Sequence, residues 1–157
     1  VFTFDQYLQY QALDDRIRSD ARLMIARSAW ETGDMEKAQK AYEEVLEIAT
    51  GRTAAEALYF RALFQRRQKA YEASNTSVQE LARDYAAYKE WGGKGLVLMA
   101  LNFEEMEDAF QATYILENVI ENFGAYPELV REAETELARI REAESRRNAS
   151  VNPDNTP

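Results

Sequence analysis

The chain has 157 residues, 46% of them hydrophobic, with a formal net charge of -9 and only 6 Gly and 3 Pro, which suits one domain with an apolar core and solvated outer faces. Cys and His are both absent, so thiol nucleophiles, disulfides, imidazole bases and most zinc, copper and haem ligand sets are removed, and no cofactor is expected. The acid excess, with no dense Lys/Arg stripe, opposes a phosphate backbone and excludes nucleic acid as the partner. No apolar run approaches the roughly 20 residues needed to span a bilayer, so direct membrane insertion by this segment is not expected.

Ala, Glu, Leu and Arg dominate and the three prolines fall at 127, 153 and 157, so helix is expected throughout. Phe4, Tyr7, Leu8 and Leu13 predict a helix that packs on the first of three helix-turn-helix units, read as the second helix of a neighbouring hairpin. That first unit is expected over 19–50. Leu23, Ile25, Ala26, Ala29 and Trp30 share one face, Gly33-Asp34 forms the turn, and Met35, Ala38, Tyr42, Val45 and Leu46 share the next face.

A second unit is expected over 53–86, with Leu58 and Ala62 on its first helix and Tyr71, Ser74, Val78, Leu81 and Tyr85 as one stripe on its second. A register with Ala73 in place of Ser74 is the alternative. Gln68-Lys69 occupies the place of the turn glycine, which predicts a tighter or distorted turn. The third unit spans 91–123, with Leu96, Met99, Ala100 and Phe103, a turn at Glu107-Asp108, then Ala112, Leu116, Val119, Ile120 and Phe123. The extra length between the second and third units is placed at Arg83 to Lys89. Pro127 opens a cap helix over 127–147 that carries Leu129, Ala133, Leu137 and Ile140, making 1–147 the folded domain. The tail, 148–157, is expected to be disordered. Val1 in place of Met is read as the start of a segment from a longer protein, with any signal peptide or lipid anchor upstream.

The spacing of Ala26, Trp30, Gly33, Ala38 and Tyr42 resembles the tetratricopeptide repeat, whose period is roughly 34 residues. Trp91-Gly92-Gly93-Lys94-Gly95-Leu96 through Ala100, followed by Phe110-Gln111-Ala112, is similar to the C-terminal repeats of Bacteroidetes-type envelope tetratricopeptide proteins. These are relatives of the periplasmic helper of the Tol-Pal system and of outer-membrane-assembly lipoproteins. The resemblance implies an all-α, right-handed α-α superhelix of about three hairpins with flanking N-terminal and C-terminal capping helices. It also implies a periplasmic or outer-membrane-associated location and a concave groove, formed by the first helix of each hairpin, that binds a protein or peptide partner.

Carried across residue by residue, that groove comprises Arg27, Trp30 and Glu31, with Asp20 and Leu23, from the first unit. The second unit supplies Tyr59, Leu63, Arg66 and Arg67, and the third Lys94, Leu101, Glu104 and Glu105, with Val97. Trp30 admits two readings, an interface anchor or core filling between repeats. The Lys and Asn positions of a carboxylate-gripping cochaperone groove are occupied by Leu23 and Arg27, so a clamp for chaperone tails is not expected.

Enzymatic readings are weaker. Glu43-Glu44 and Glu104-Glu105 are adjacent on a helix and point about 100° apart, so they do not converge on a cation. Gly92-Gly93-Lys94-Gly95 lacks the full phosphate-loop pattern and a preceding strand. A non-enzymatic binding scaffold is therefore expected. A purely architectural, self-associating segment and a helical ligand-binding domain or enzyme remain as alternatives.

Overall fold

The structure, a computed structural model, describes residue 1 and residues 3–151. Among the described residues it contains seven helices and no strand: α1 Phe4–Thr32, α2 Met35–Ile48, α3 Gly51–Arg67, α4 Tyr71–Asp84, α5 Lys89–Glu105, α6 Ala109–Asn122 and α7 Pro127–Val151. Consecutive helices are joined by short turns and pack as antiparallel neighbours. The modularity is close: α2, α4 and α6 have 14 residues each, and α3 and α5 have 17.

The three intra-hairpin turns share one backbone geometry. Gly33 (φ 82), Lys69 (φ 62) and Glu107 (φ 62) are all left-handed. In each turn the next residue's N–H reaches back five positions: Asp34 to Ala29 O at 2.9 Å, Ala70 to Gln65 O at 2.9 Å and Asp108 to Phe103 O at 2.8 Å. This is the Schellman closure of a helix C-terminus. The expected distortion at Gln68-Lys69 does not occur, because the carbonyls satisfied by the turn and the packing of the flanking helices outweigh the roughly 1–2 kcal/mol that a side chain costs in that conformation.

Counting from these turn residues fixes the register. Ala26, Ala62 and Ala100 lie seven positions before the turn, Ala38, Ser74 and Ala112 five after it, and all six are 0% exposed. They are the small residues at which the helices of each hairpin cross. Ser74, not the exposed Ala73, takes the inward place. The extra length between units two and three lies in the connection: residues 85–88 join α4 to α5, whereas 49–50 suffice between α2 and α3.

The first helices of successive hairpins touch one another, α1 with α3, α3 with α5 and α5 with α7, whereas α2, α4 and α6 make no mutual contact. A layer whose helices touch has the smaller radius, so α1, α3, α5 and α7 line the inner face.

Both ends differ from expectation. Residues 4–13 are not a separate helix packed on the first hairpin. They are the first turns of α1, capped by Thr3 and Gln6, whose side chains each accept from the other's backbone N–H. No Gly or Pro interrupts the run from Phe4 to Thr32, and Phe4, Tyr7, Leu8 and Leu13 are exposed. Ile25, expected on the face of Leu23 and Ala26, is also exposed, because one residue turns the helix by about 100° and carries it off that face. At the other end α7 continues through Val151, so Asn148 to Val151, expected in the disordered tail, are helical, with no breaker before Pro153. Residues 152–157 of that tail lie outside the described residues.

Candidate protein-binding groove

Aligned on the left-handed turn residues, the predicted groove positions form rungs across the inner face. Trp30, Arg66 and Glu104 each precede their turn by three residues. Glu31, Arg67 and Glu105 precede it by two, and Arg27, Leu63 and Leu101 by six. Leu23, Tyr59 and Val97 form a further rung, of which Leu23 and Val97 are buried. The rung nearest the turns alternates in sign, Glu31, Arg67, Glu105, and all three are exposed.

Trp30 serves the core and the surface together. One side is packed edge-on against Phe60 (5.2 Å) and Phe64 (5.8 Å), while the Arg67 guanidinium lies over its ring at 5.3 Å. Arg67 also donates to Met35 Sδ at 3.2 Å. Arg66 is held from behind. Its Nη1 donates to Asn102 Oδ1 at 3.2 Å, and its Nη2 lies 3.9 Å from Glu105. Asn102 is fully buried, and its Nδ2 donates to Ser74 Oγ and Asn75 Oδ1, both at 2.8 Å. Ser74 Oγ in turn donates to Ala62 O at 2.7 Å, so a satisfied polar network between the second and third hairpins fixes the Arg66 head group.

Other predicted residues are engaged within the fold. Arg27 donates to both carboxylate oxygens of Glu56, at 2.9 and 2.6 Å, and that hydrogen-bonded carboxylate raises the Arg27 pKa. Glu104 accepts from Arg139 of α7 at 2.8 Å. Lys94 lies 4.5 Å from the Trp91 ring and 3.6 Å from Glu90. Tyr59 is packed against Phe60 and Trp91, and burial, with the Glu132 charge second, pushes its phenol up to about 12. The adjacent acids diverge as expected: Glu43 accepts two bonds from Arg61, whereas Glu44 lies 3.9 Å from Arg22.

Three residues that organise this face are not apparent from the sequence. Glu56, 4% exposed, occupies the same rung as Asp20 and Lys94, and only an alignment on Lys69 as a turn residue would have exposed it. Asn102 is a lone polar residue in an apolar run, and its partners belong to another hairpin. Arg139 falls among the many charges of α7. The glycines at 92, 93 and 95 lie in the first turns of α5, not in a loop. A Cβ on Gly93 would stand 2.3 Å from Leu129 Cδ2, and one on Gly95 3.2 Å from Leu81. Helix packing is thus the reason for these two small residues.

Together these features define an α-α hairpin solenoid with a charged, aromatic-bearing inner face. Residues 19–51 match the tetratricopeptide repeat family model, and the chain is an all-α, tetratricopeptide-like helical repeat protein. No curated protein matches the chain. Tetratricopeptide repeats generally mediate protein–protein interaction, and among the described residues no helix is long and apolar enough to cross a membrane.

Proposed function

We propose that this chain is a non-enzymatic scaffold that binds a protein or peptide segment along the inner face of α1, α3 and α5. The observation that carries this reading is the exposed rung Glu31, Arg67 and Glu105 on the first helices of three successive hairpins, with Trp30 and Arg66 beside it. Neighbouring helix axes stand about 8–10 Å apart, so an extended segment crossing them meets acid, base and acid in turn. A segment with basic, acidic and basic side chains at matching intervals complements that order, and the Trp30–Arg67 stack supplies an aromatic and guanidinium anchor of the kind that dominates interface energetics. The proposed setting is bacterial envelope assembly, in the periplasm or at the outer membrane, supported by the similarity of Trp91 to Ala100 and Phe110 to Ala112 to envelope tetratricopeptide proteins.

A photoreactive residue at Glu105 tests the groove. It should yield a discrete crosslinked partner in cells, and the same probe at Glu72, on the opposite, outer layer, should not. Equal labelling from both sites would reject the inner face as the binding surface.

A further inference from the structure

Outside α1 the exposed large apolar side chains among the described residues are Val1, Val151 and a pair on α6, Phe110 and Tyr114, which are 78% and 56% exposed. The pair lies three and seven positions after the turn residue Glu107. The equivalent residues are Glu36 and Lys40 in α2 and Glu72 and Thr76 in α4, and all four are exposed although another hairpin follows each of these helices. The stacking of a further hairpin therefore does not reach these positions. An aromatic pair there has no packing role within the solenoid.

The surroundings of the pair are acidic. At 100° per residue Phe110, Tyr114, Glu117 and Glu121 share a sector of about 60°, opposite the buried Ala112, Leu116 and Val119. Alone among the seven helices, α6 has no Lys or Arg. Glu117 is paired with Arg141 of α7, whereas Glu121, and Glu107 at the turn, meet no cation among the described residues. An acid without a partner thus stands beyond each end of the aromatic pair. The two layers differ in the same sense: α2, α4 and α6 carry nine acids and three bases, a net of -6 in a chain of -9, whereas the helices of the inner layer carry fifteen of each.

We infer that this outer ridge of α6 docks a cationic segment of a protein partner, in which two apolar side chains are bracketed by Lys or Arg. Charge and area select that occupant over a second copy of the chain. Two such ridges would set their acids against each other, and the two rings expose on the order of 250 Å², well below the roughly 800 Å² per partner of a stable interface. Spacing fits the segment. Four residues of helix separate the ring positions by about 6 Å, close to the roughly 6.6 Å between alternate residues of an extended chain. Apolar side chains at i and i+2 therefore meet Phe110 and Tyr114, their basic neighbours on the same side reach toward Glu107 and Glu121, and an ammonium over the Tyr114 ring adds a cation-π contact. α4 makes no contact with α6, so the site is confined to the third hairpin and is separate from the inner-face groove.

Fluorescence anisotropy of the whole chain with a labelled peptide, Lys-Lys-Leu-Ala-Leu-Lys-Lys, tests this. The wild type should bind it, and binding should weaken by at least about tenfold when serine replaces both leucines of the peptide or when the protein carries Phe110→Ser/Tyr114→Ser. Glu121→Lys should weaken it as well, whereas Arg66→Glu/Arg67→Glu on the inner face should not. Both rings are exposed, so the helical circular dichroism spectrum of Phe110→Ser/Tyr114→Ser should be unchanged. No binding by the wild type, equal binding of the serine peptide through net charge alone, or full binding by Phe110→Ser/Tyr114→Ser would overturn the proposal.

Discussion

Arg27 and Glu56 join the first two hairpins through two parallel hydrogen bonds of 2.9 and 2.6 Å, and the carboxylate in that pair is 4% exposed. Tyr42 adds a third contact to the same carboxylate, its hydroxyl lying 3.5 Å from Oε2. The arginine is half in solvent, so the pair works mainly by neutralising a buried charge.

Removing only the arginine should therefore cost more than removing both groups. Arg27→Met is expected to destabilise by about 2–3 kcal/mol, below the range for fully buried pairs because Arg27 is partly solvated, whereas Arg27→Met/Glu56→Leu should recover at least half of that loss. Urea denaturation of the wild type and the variants closes the cycle; additive losses would show that the two residues act independently.

The glycines of α5 give opposite expectations at neighbouring positions. Gly93→Ala places a methyl 2.3 Å from Leu129 and 2.9 Å from Phe123, and overpacking by about 1–3 kcal/mol should exceed the gain in helix propensity. At Gly92 nothing lies within 4 Å, so Gly92→Ala should stabilise by about 0.5–1 kcal/mol. Thermal melts that move the same way in both variants would contradict this account.

The hairpins were legible because their determinants are local and repeated. Ala26, Gly33, Ala38 and Tyr42 announce a helix crossing and a turn within a short stretch, and the spacing of Ser74, Val78 and Leu81 was enough to place the second unit. Lys69 and Glu107 were opaque because a left-handed residue other than glycine is imposed by the helices on either side, not by its own preference. The merging of residues 4–13 into α1 was not legible, because an apolar stripe does not say whether anything packs on it. Of the groove, the rung positions followed from the repeat, but the internal engagement of Arg27 and Glu104 did not, since Glu56 and Arg139 reach them from other helices.

The same left-handed positions predict a stabilising change. Lys69 is exposed, so Lys69→Gly relieves the side-chain penalty without losing packing and should gain about 0.5–1 kcal/mol after the added chain entropy of glycine, whereas Gly33→Ala should lose about 1 kcal/mol. A drop in midpoint for Lys69→Gly would refute the shared turn geometry.

Stability should also fall at alkaline pH. Tyr59 ionises at about 12 in the folded chain against 10.0 for the free side chain, chiefly because burial disfavours the phenolate, and burial raises Tyr42 as well. A raised acid pKa means the protonated form is favoured by folding, so the contribution is intact below pH 10 and is lost as pH rises through about 12. Phenolate absorbance should still be rising between pH 10 and about pH 12, together with loss of helix. Ionisation of Tyr42 and Tyr59 near pH 10 with the fold intact would contradict the burial of these two.

The most direct test of the binding face is quantitative capture from a native lysate with Arg66→Glu/Arg67→Glu compared with Glu72→Lys/Thr76→Lys on α4. The first pair reverses the central charge of the inner face, and the second alters exposed positions on the outer layer. With both variants folded, the inner-face variant should lose a specific partner by at least about tenfold, equivalent to about 1.4 kcal/mol, while the outer-face variant retains it. Retention of that partner by Arg66→Glu/Arg67→Glu would contradict recognition through the groove.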